Sequence, residues 1–186
     1  MFKASIDTSL TQTLNNWGLA HHMITSFAAK DFVYITILLG VMWVGLNSLK
    51  EVKPFAIGAY IKHVAIDGFF ILALPVGLTT LISELISKWH VRQRPFVAMS
   101  NVHAVISHAA DGGFPSHHAA FMAAIATGVY LRNRQAGNGL MWLTVICGIA
   151  RVAAGIHYPT DIIFGITLGI VITVATNRVL MRLLRM

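Results

Sequence analysis

The stretch "GGFPSHHAAFMAAIATGVYL", residues 112–131, decides the fold. Gly112, Gly113 and Pro115 form a turn, and Ser116 stands where a helix would start. From Ala119 on, the run is almost wholly apolar and reads as a membrane helix over about Ser116–Leu131. Two histidines, His117 and His118, stand at the mouth of that helix. The rest of the chain has to explain why.

Composition places the whole chain in a membrane. Of 186 residues, 56% are hydrophobic and 11% charged, against roughly 25% charged in a soluble domain. The net charge of +7, from 14 Lys+Arg against 7 Asp+Glu, then points to loops on one side of a bilayer and not to nucleic acid. The single cysteine, Cys147, excludes an intrachain disulfide. The first 30 residues lack the compact apolar core and A-x-A site of a cleavable signal peptide.

The expected fold is an all-α integral membrane protein, one domain over residues 1–186. It is a bundle of about five transmembrane helices with an N-terminal interfacial helix. The other four spans are expected at about Phe32–Ser48, Phe55–Ser87, Leu140–Ile156 and Pro159–Leu183. The second is too long for a perpendicular crossing, so it tilts or begins along the surface. "LNNWGLAHHMITSFAAK" (14–30) reads as the interfacial helix, with a sixth span as the alternative. Five spans put Lys50, Lys53, Arg132, Arg134, Arg178, Arg182 and Arg185 at one face, which marks it as cytoplasmic. The long 88–115 loop then faces outward, to periplasm or cell exterior.

Three polar stretches share that outer face: "KWHVRQRPF" (88–96), "FPSHHAAF" (114–121) and "ARVAAGIHYPTD" (150–161). Pro115 and Ser116 start a helix whose free N–H groups can hold an anion. Arg92, Arg94 and Arg151 offer guanidinium forks that match phosphate oxygens. Arg151 lies within an apolar span, where a charge is costly and needs a reason. Asp161, four residues after His157, can bond one ring nitrogen and leave the other as a nucleophile. His118 supplies a second, separate proton carrier. An anion hole, a cationic clamp, an oriented histidine and a general acid together point to phosphoryl transfer through a phosphohistidine.

These residues resemble the type 2 phosphatidic acid phosphatase family, whose active site is shared with the vanadium haloperoxidases. The family pattern is K-x6-R-P, then P-S-G-H, then S-R-x5-H-x3-D. Here the third motif is Ala150-Arg151, His157 and Asp161, with alanine for serine. The second is Pro115-Ser116-His117-His118, with histidine for glycine. The first ends at Arg94-Pro95, but Ser87 stands at the lysine position and Lys88 comes one residue late. "RPFV" and "NVHAVISHAADGGFPSHH" narrow the resemblance to undecaprenyl-diphosphatases of the bacitracin-resistance type.

The resemblance implies a hydrolase of the bacterial inner (cytoplasmic) membrane. It would convert undecaprenyl diphosphate to undecaprenyl phosphate and inorganic phosphate, recycling the carrier for peptidoglycan. His157 would attack phosphorus, oriented by Asp161. Arg94, Arg151 and Ser116 would hold the phosphoryl oxygens, and His118 would protonate the leaving group and then activate water. Either Arg92 or Lys88 replaces the missing lysine, with Arg92 favoured. His117 either touches phosphate or fills the glycine's place. His108 and Asp111 fit a diphosphate or order their own loop, and Glu84 lines the site. The partners implied are the polyprenyl diphosphate and membrane lipids, with no nucleic acid, no cofactor and no metal. The alternatives are another lipid phosphate (phosphatidic acid, phosphatidylglycerol phosphate, a lipid A phosphate) or a binding protein without chemistry.

Overall fold

The structure, a computed structural model, describes residues 2–51 and 57–183. Lys53 and Arg185, used above to orient the chain, lie outside the described residues. Every regular element described is helical. Two helices open the chain, α1 (Phe2–Ala20) and α2 (His22–Lys30), followed by α3 (Phe32–Glu51). Next come α4 (Ile57–Asp67), a π-helical segment (Gly68–Ala73) and α5 (Leu74–Trp89). The short α6 (Pro95–Ala98) precedes α7 (His117–Tyr130), α8 (Arg134–Ala153) and α9 (Pro159–Leu183). Among the described residues, four stretches are long and apolar enough to cross a membrane: Phe32–Lys50, Ile57–Trp89, Arg134–Ala153 and Pro159–Leu183. The protein is a multi-pass membrane protein.

The second span is a single 33-residue stretch, its helical ladder shifted to π geometry in the middle. A π segment inserts a residue per turn and changes which face points inward. The fourth span begins earlier than its apolar run, at Arg134, because Asn133 caps it: its side chain accepts from Ala136 N–H at 2.9 Å. It stops at Ala153 because Gly155 adopts φ +74, a conformation that suits glycine. Val105 and Phe96 then bond the turn through Ala154 and Gly155 carbonyls.

The centre of the bundle is α7, expected above as the third span but too short to be among those four stretches. Its 14 residues reach only about 21 Å at 1.5 Å per residue. It is buried from Ala119 to Val129 except at Phe121, and it packs most extensively on α9 and α8. Small residues set that closeness. A Cβ on Gly169 would stand 2.3 Å from the Ala120 carbonyl oxygen, and one on Gly165 2.6 Å from that of Ser116. In a bilayer, helix association relies on such close approach, since lipid tails are as apolar as leucine.

The N-terminal segment is more than an interfacial helix. It keeps an exposed apolar face with Ile6, Leu10, Trp17, Met23 and Phe27, which suits the membrane surface. Its other face packs on α8. Asn15, fully buried, donates to the His103 carbonyl at 2.8 Å and the Ala153 carbonyl at 2.9 Å, and accepts from His103 N–H at 3.0 Å. One amide thereby ties α1, the long loop and the end of α8 together.

Candidate active site

At the end of the bundle where α5 and α8 finish and α7 and α9 begin lies a cavity of about 520 Å³. Lys88, Arg94, His108, His117, His118, Arg151 and His157 line it, with Glu84 and Asp111 as its only acids. The three sequence stretches therefore do meet.

His157 stands at the focus. It is almost wholly buried, on the turn between α8 and α9. Its Nδ1 lies 2.8 Å from the Gly113 carbonyl oxygen. A carbonyl only accepts, so Nδ1 carries the proton and Nε2 keeps its lone pair. Arg94 Nη1 at 3.4 Å and Arg151 Nη2 at 3.3 Å both converge on that Nε2. Burial, and then the charges of Arg151 and Arg94, push His157 well below the ordinary imidazole range. The ring is held neutral, with two cations beside its unprotonated nitrogen.

Both guanidinium groups are rigidly held. Arg94 donates from Nε to Asp111 Oδ1 at 2.9 Å, from Nη2 to the Gly112 carbonyl at 3.2 Å and from Nη1 to the Ile156 carbonyl at 2.9 Å, and it forms an ion pair with Asp111. Arg151 donates from Nη1 to the Ala29 carbonyl in α2 at 3.0 Å. Its Nε, His117 Nε2 and Ser116 Oγ are buried with no hydrogen-bond partner among the described residues. Buried polar atoms of that kind call for an explanation, and a ligand in the cavity would supply one for His117 and Arg151.

The expected Asp161–His157 bond has a different form. Asp161 Oδ2 lies 3.7 Å from His157 Nδ1, beyond hydrogen-bond reach, and the Gly113 carbonyl takes that proton instead. Asp161 is fully buried. Its Oδ2 accepts from Tyr158 N–H at 2.8 Å, and its Oδ1 from Arg92 Nη1 at 2.8 Å. It fixes the turn that carries His157.

Arg92, favoured above as the replacement for the missing lysine, does not line the cavity. A buried carboxylate needs a partner, and Arg92 is turned toward two of them. It bonds Asp161, Asp7 Oδ2 at 2.7 Å and Thr160 Oγ1 at 2.7 Å, and covers the Tyr158 ring at 3.8 Å. Lys88 lines the cavity, with its ammonium 3.5 Å from Glu84. Ser116 lies behind the wall, fully buried, with its backbone N–H donated to the Asp161 carbonyl at 3.1 Å. His117 and His118 both line the cavity although adjacent in sequence. His108 and Asp111 do so from the loop, 3.9 Å apart; burial and the Arg94 charge lower the His108 pKa. Among the described residues no group of three or more His, Cys, Asp or Glu is placed to hold a metal ion.

Asp7, Thr160 and the Gly113 carbonyl escaped the sequence reading. Nothing in a polar N-terminal run marks Asp7, whose partners lie 85 and 153 positions away. The one available signal was Asp161 itself, a carboxylate at a span end that requires a cation.

Known proteins are similar to this chain in sequence and in fold. Residues 68–185 match the PAP2 superfamily. The chain is 34% identical over 164 residues to undecaprenyl-diphosphatase BcrC of Bacillus subtilis (strain 168), covering 83% of this chain and 75% of that protein. Its fold is similar to that of Aquifex aeolicus LpxE, with a TM-score of 0.67 at 19% identity over 91% of this chain and 93% of the other. It is similar too to the PAP2-type phosphatidylglycerolphosphate phosphatase of Bacillus subtilis, with a TM-score of 0.64 at 20% identity over 94% and 84%. The match spans more than half of the chain and contains the cavity's arginines and histidines, and on that ground the chain belongs to the PAP2 superfamily, a family of membrane lipid phosphatases.

Proposed function

We propose that the protein hydrolyses undecaprenyl diphosphate to undecaprenyl phosphate and inorganic phosphate, through a phosphohistidine at His157. The observation that carries the reading is the neutral His157 ring. Its Nε2 faces two arginines at 3.3 and 3.4 Å, while its Nδ1–H is held by Gly113. Nε2 attacks the terminal phosphorus as the P–O bond to the lipid phosphate breaks. Arg94 and Arg151 bind the equatorial oxygens, where charge gathers in the transition state. His118 gives its proton to the leaving oxygen. It then takes one from the water that cleaves the P–N bond, releasing inorganic phosphate and restoring His157.

Two features favour a diphosphate. Lys88, His108 and His117 line the cavity beyond what a single phosphoryl group engages, and BcrC, similar over most of the chain, carries that activity in its name. Exposed Lys50, Arg132, Arg134, Arg178 and Arg182 at the far end favour an orientation with the site outside the cytoplasmic membrane.

The test is phosphate release by the purified protein in detergent with EDTA, with undecaprenyl diphosphate and phosphatidic acid at equal concentration and His157→Ala as blank. Preference for the diphosphate, lost in the variant, is expected. Preference for phosphatidic acid would overturn the substrate. Release that EDTA abolishes and added metal restores would overturn the histidine mechanism.

A further inference from the structure

The catalytic turn is held from a helix the motifs do not include. The N-terminus of α9 begins with Pro159 at its first position, so the first N–H needing a partner there is that of Thr160. A helix normally finds this acceptor in its own N-cap side chain. Tyr158 occupies that position and cannot provide one. Asp7 of α1 does so instead: its Oδ1 accepts from Thr160 N–H at 3.1 Å and its Oδ2 from Thr160 Oγ1–H. Asp161 completes a capping box by reaching back to Tyr158 N–H at 2.8 Å.

Asp7 also governs Arg92. Its Oδ2 accepts from Arg92 Nη2 at 2.7 Å while Nη1 serves Asp161 at 2.8 Å. Asp7 is 5% exposed and Asp161 0%. Two buried carboxylates thus share one guanidinium, whose plane is set by both. The Asp161 carbonyl in turn receives Ser116 N–H, so a shift at α9's first turn reaches both His157 and the mouth of α7.

We propose that Asp7 is a positioning residue for phosphoryl transfer: it caps α9 from another helix and, through Thr160 and Arg92, fixes Asp161 and the His157 ring. The inference rests on the assignment of His157 as nucleophile. It makes α1 a working part of the site. The Asp7 side chain bonds Arg92 and Thr160, neither of which lines the cavity, so its effect falls on the step after binding. A displacement of an ångström at a reacting group costs about 10²-fold in rate.

The test compares full-length Asp7→Asn with Asn15→Ala, which loosens α1 at the other buried anchor without touching Thr160 or Arg92. Both are assayed for kcat, KM and thermal stability in detergent, beside His157→Ala. The expected result for Asp7→Asn is a kcat lower by about 10- to 100-fold with KM within about twofold, and a larger kcat loss than Asn15→Ala at equal loss of stability. A kcat within twofold of the wild type overturns the inference. So does a loss no greater than that of Asn15→Ala at matched stability, or one in which KM rises in step. If Asp7→Asn does not fold, Thr160→Val removes the two bonds that the Thr160 hydroxyl makes to Asp7 and Arg92; unchanged kcat there is equally fatal. Activity surviving in His157→Ala would sink the nucleophile assignment instead, so the two failures are separable.

Discussion

The two ends of the bundle use arginine in opposite ways. At the far end Arg132, Arg134, Arg178 and Arg182 are exposed, and Arg132 makes a long hydrogen bond, 3.4 Å to Asn177 Oδ1. At the site end Arg94 is 5% exposed and Arg151 3%, each pinned by a carbonyl and aimed at one histidine nitrogen. An exposed guanidinium costs the fold little, and its ion pairs contribute about 0–1 kcal/mol. A buried one costs several kcal/mol unless it is fully partnered. The difference teaches that a count of charges and the burial of each charge carry different information: exposed arginines bear on orientation, buried ones mark the candidate site.

The sharpest way to break this contrast is one substitution made at both ends. Arg151→Lys is expected to lower kcat by about 10²–10³-fold, since an ammonium cannot hold the Ala29 carbonyl and a phosphoryl oxygen in the same fixed fork. Arg134→Lys is expected to stay within twofold. If the steady-state rate of Arg151→Lys exceeds about a tenth of wild type, fixed geometry is not what the buried arginine contributes. Lys88 is the intermediate case, a site-end cation that is 68% exposed and paired with Glu84. Lys88→Ala is expected to raise KM for the diphosphate about 3- to 10-fold with little change in kcat. The effect should shrink at high salt, because exposed charges are screened. A fall in kcat with unchanged KM would move Lys88 into the catalytic step.

The same contrast explains what the sequence revealed. Four crossings were legible among the described residues because each is an apolar run bounded by caps, glycines or charge, and Pro159–Leu183 was placed to the residue, whereas the expected third span is the 14-residue α7. The convergence of His157, His118, Arg94 and Arg151 was legible too, because topology alone brings span ends together. The choice between Lys88 and Arg92 was not legible. Spacing placed Arg92 on the same side as Arg94, but Arg92 turns to Asp161 and Asp7, and that pairing depends on a helix 85 residues away. Likewise Asp161 suggested a bond to His157 at four-residue spacing, yet the turn gives that bond to Gly113. Local spacing shows which groups are near one another; the desolvation of each decides whom it bonds.

The smallest effect concerns a proton rather than a rate. The two cations that would hold phosphate also act on the His157 ring before substrate arrives. With burial, they lower the His157 pKa well below its usual place. A lowered pKa means that the neutral ring persists as pH falls through the ordinary midpoint of about 6.5 and is lost only at more acid pH. The hydrogen bond to Gly113 further places the remaining proton on Nδ1. Histidine-selective ¹⁵N NMR in detergent, with His157→Gln to assign the signal, is expected to show His157 neutral with Nδ1 protonated at pH 6. A doubly protonated ring at that pH would mean that the buried arginines do not set its charge. A proton on Nε2 would leave no lone pair facing the arginines, and the contrast between the two ends of the bundle would lose its chemical meaning.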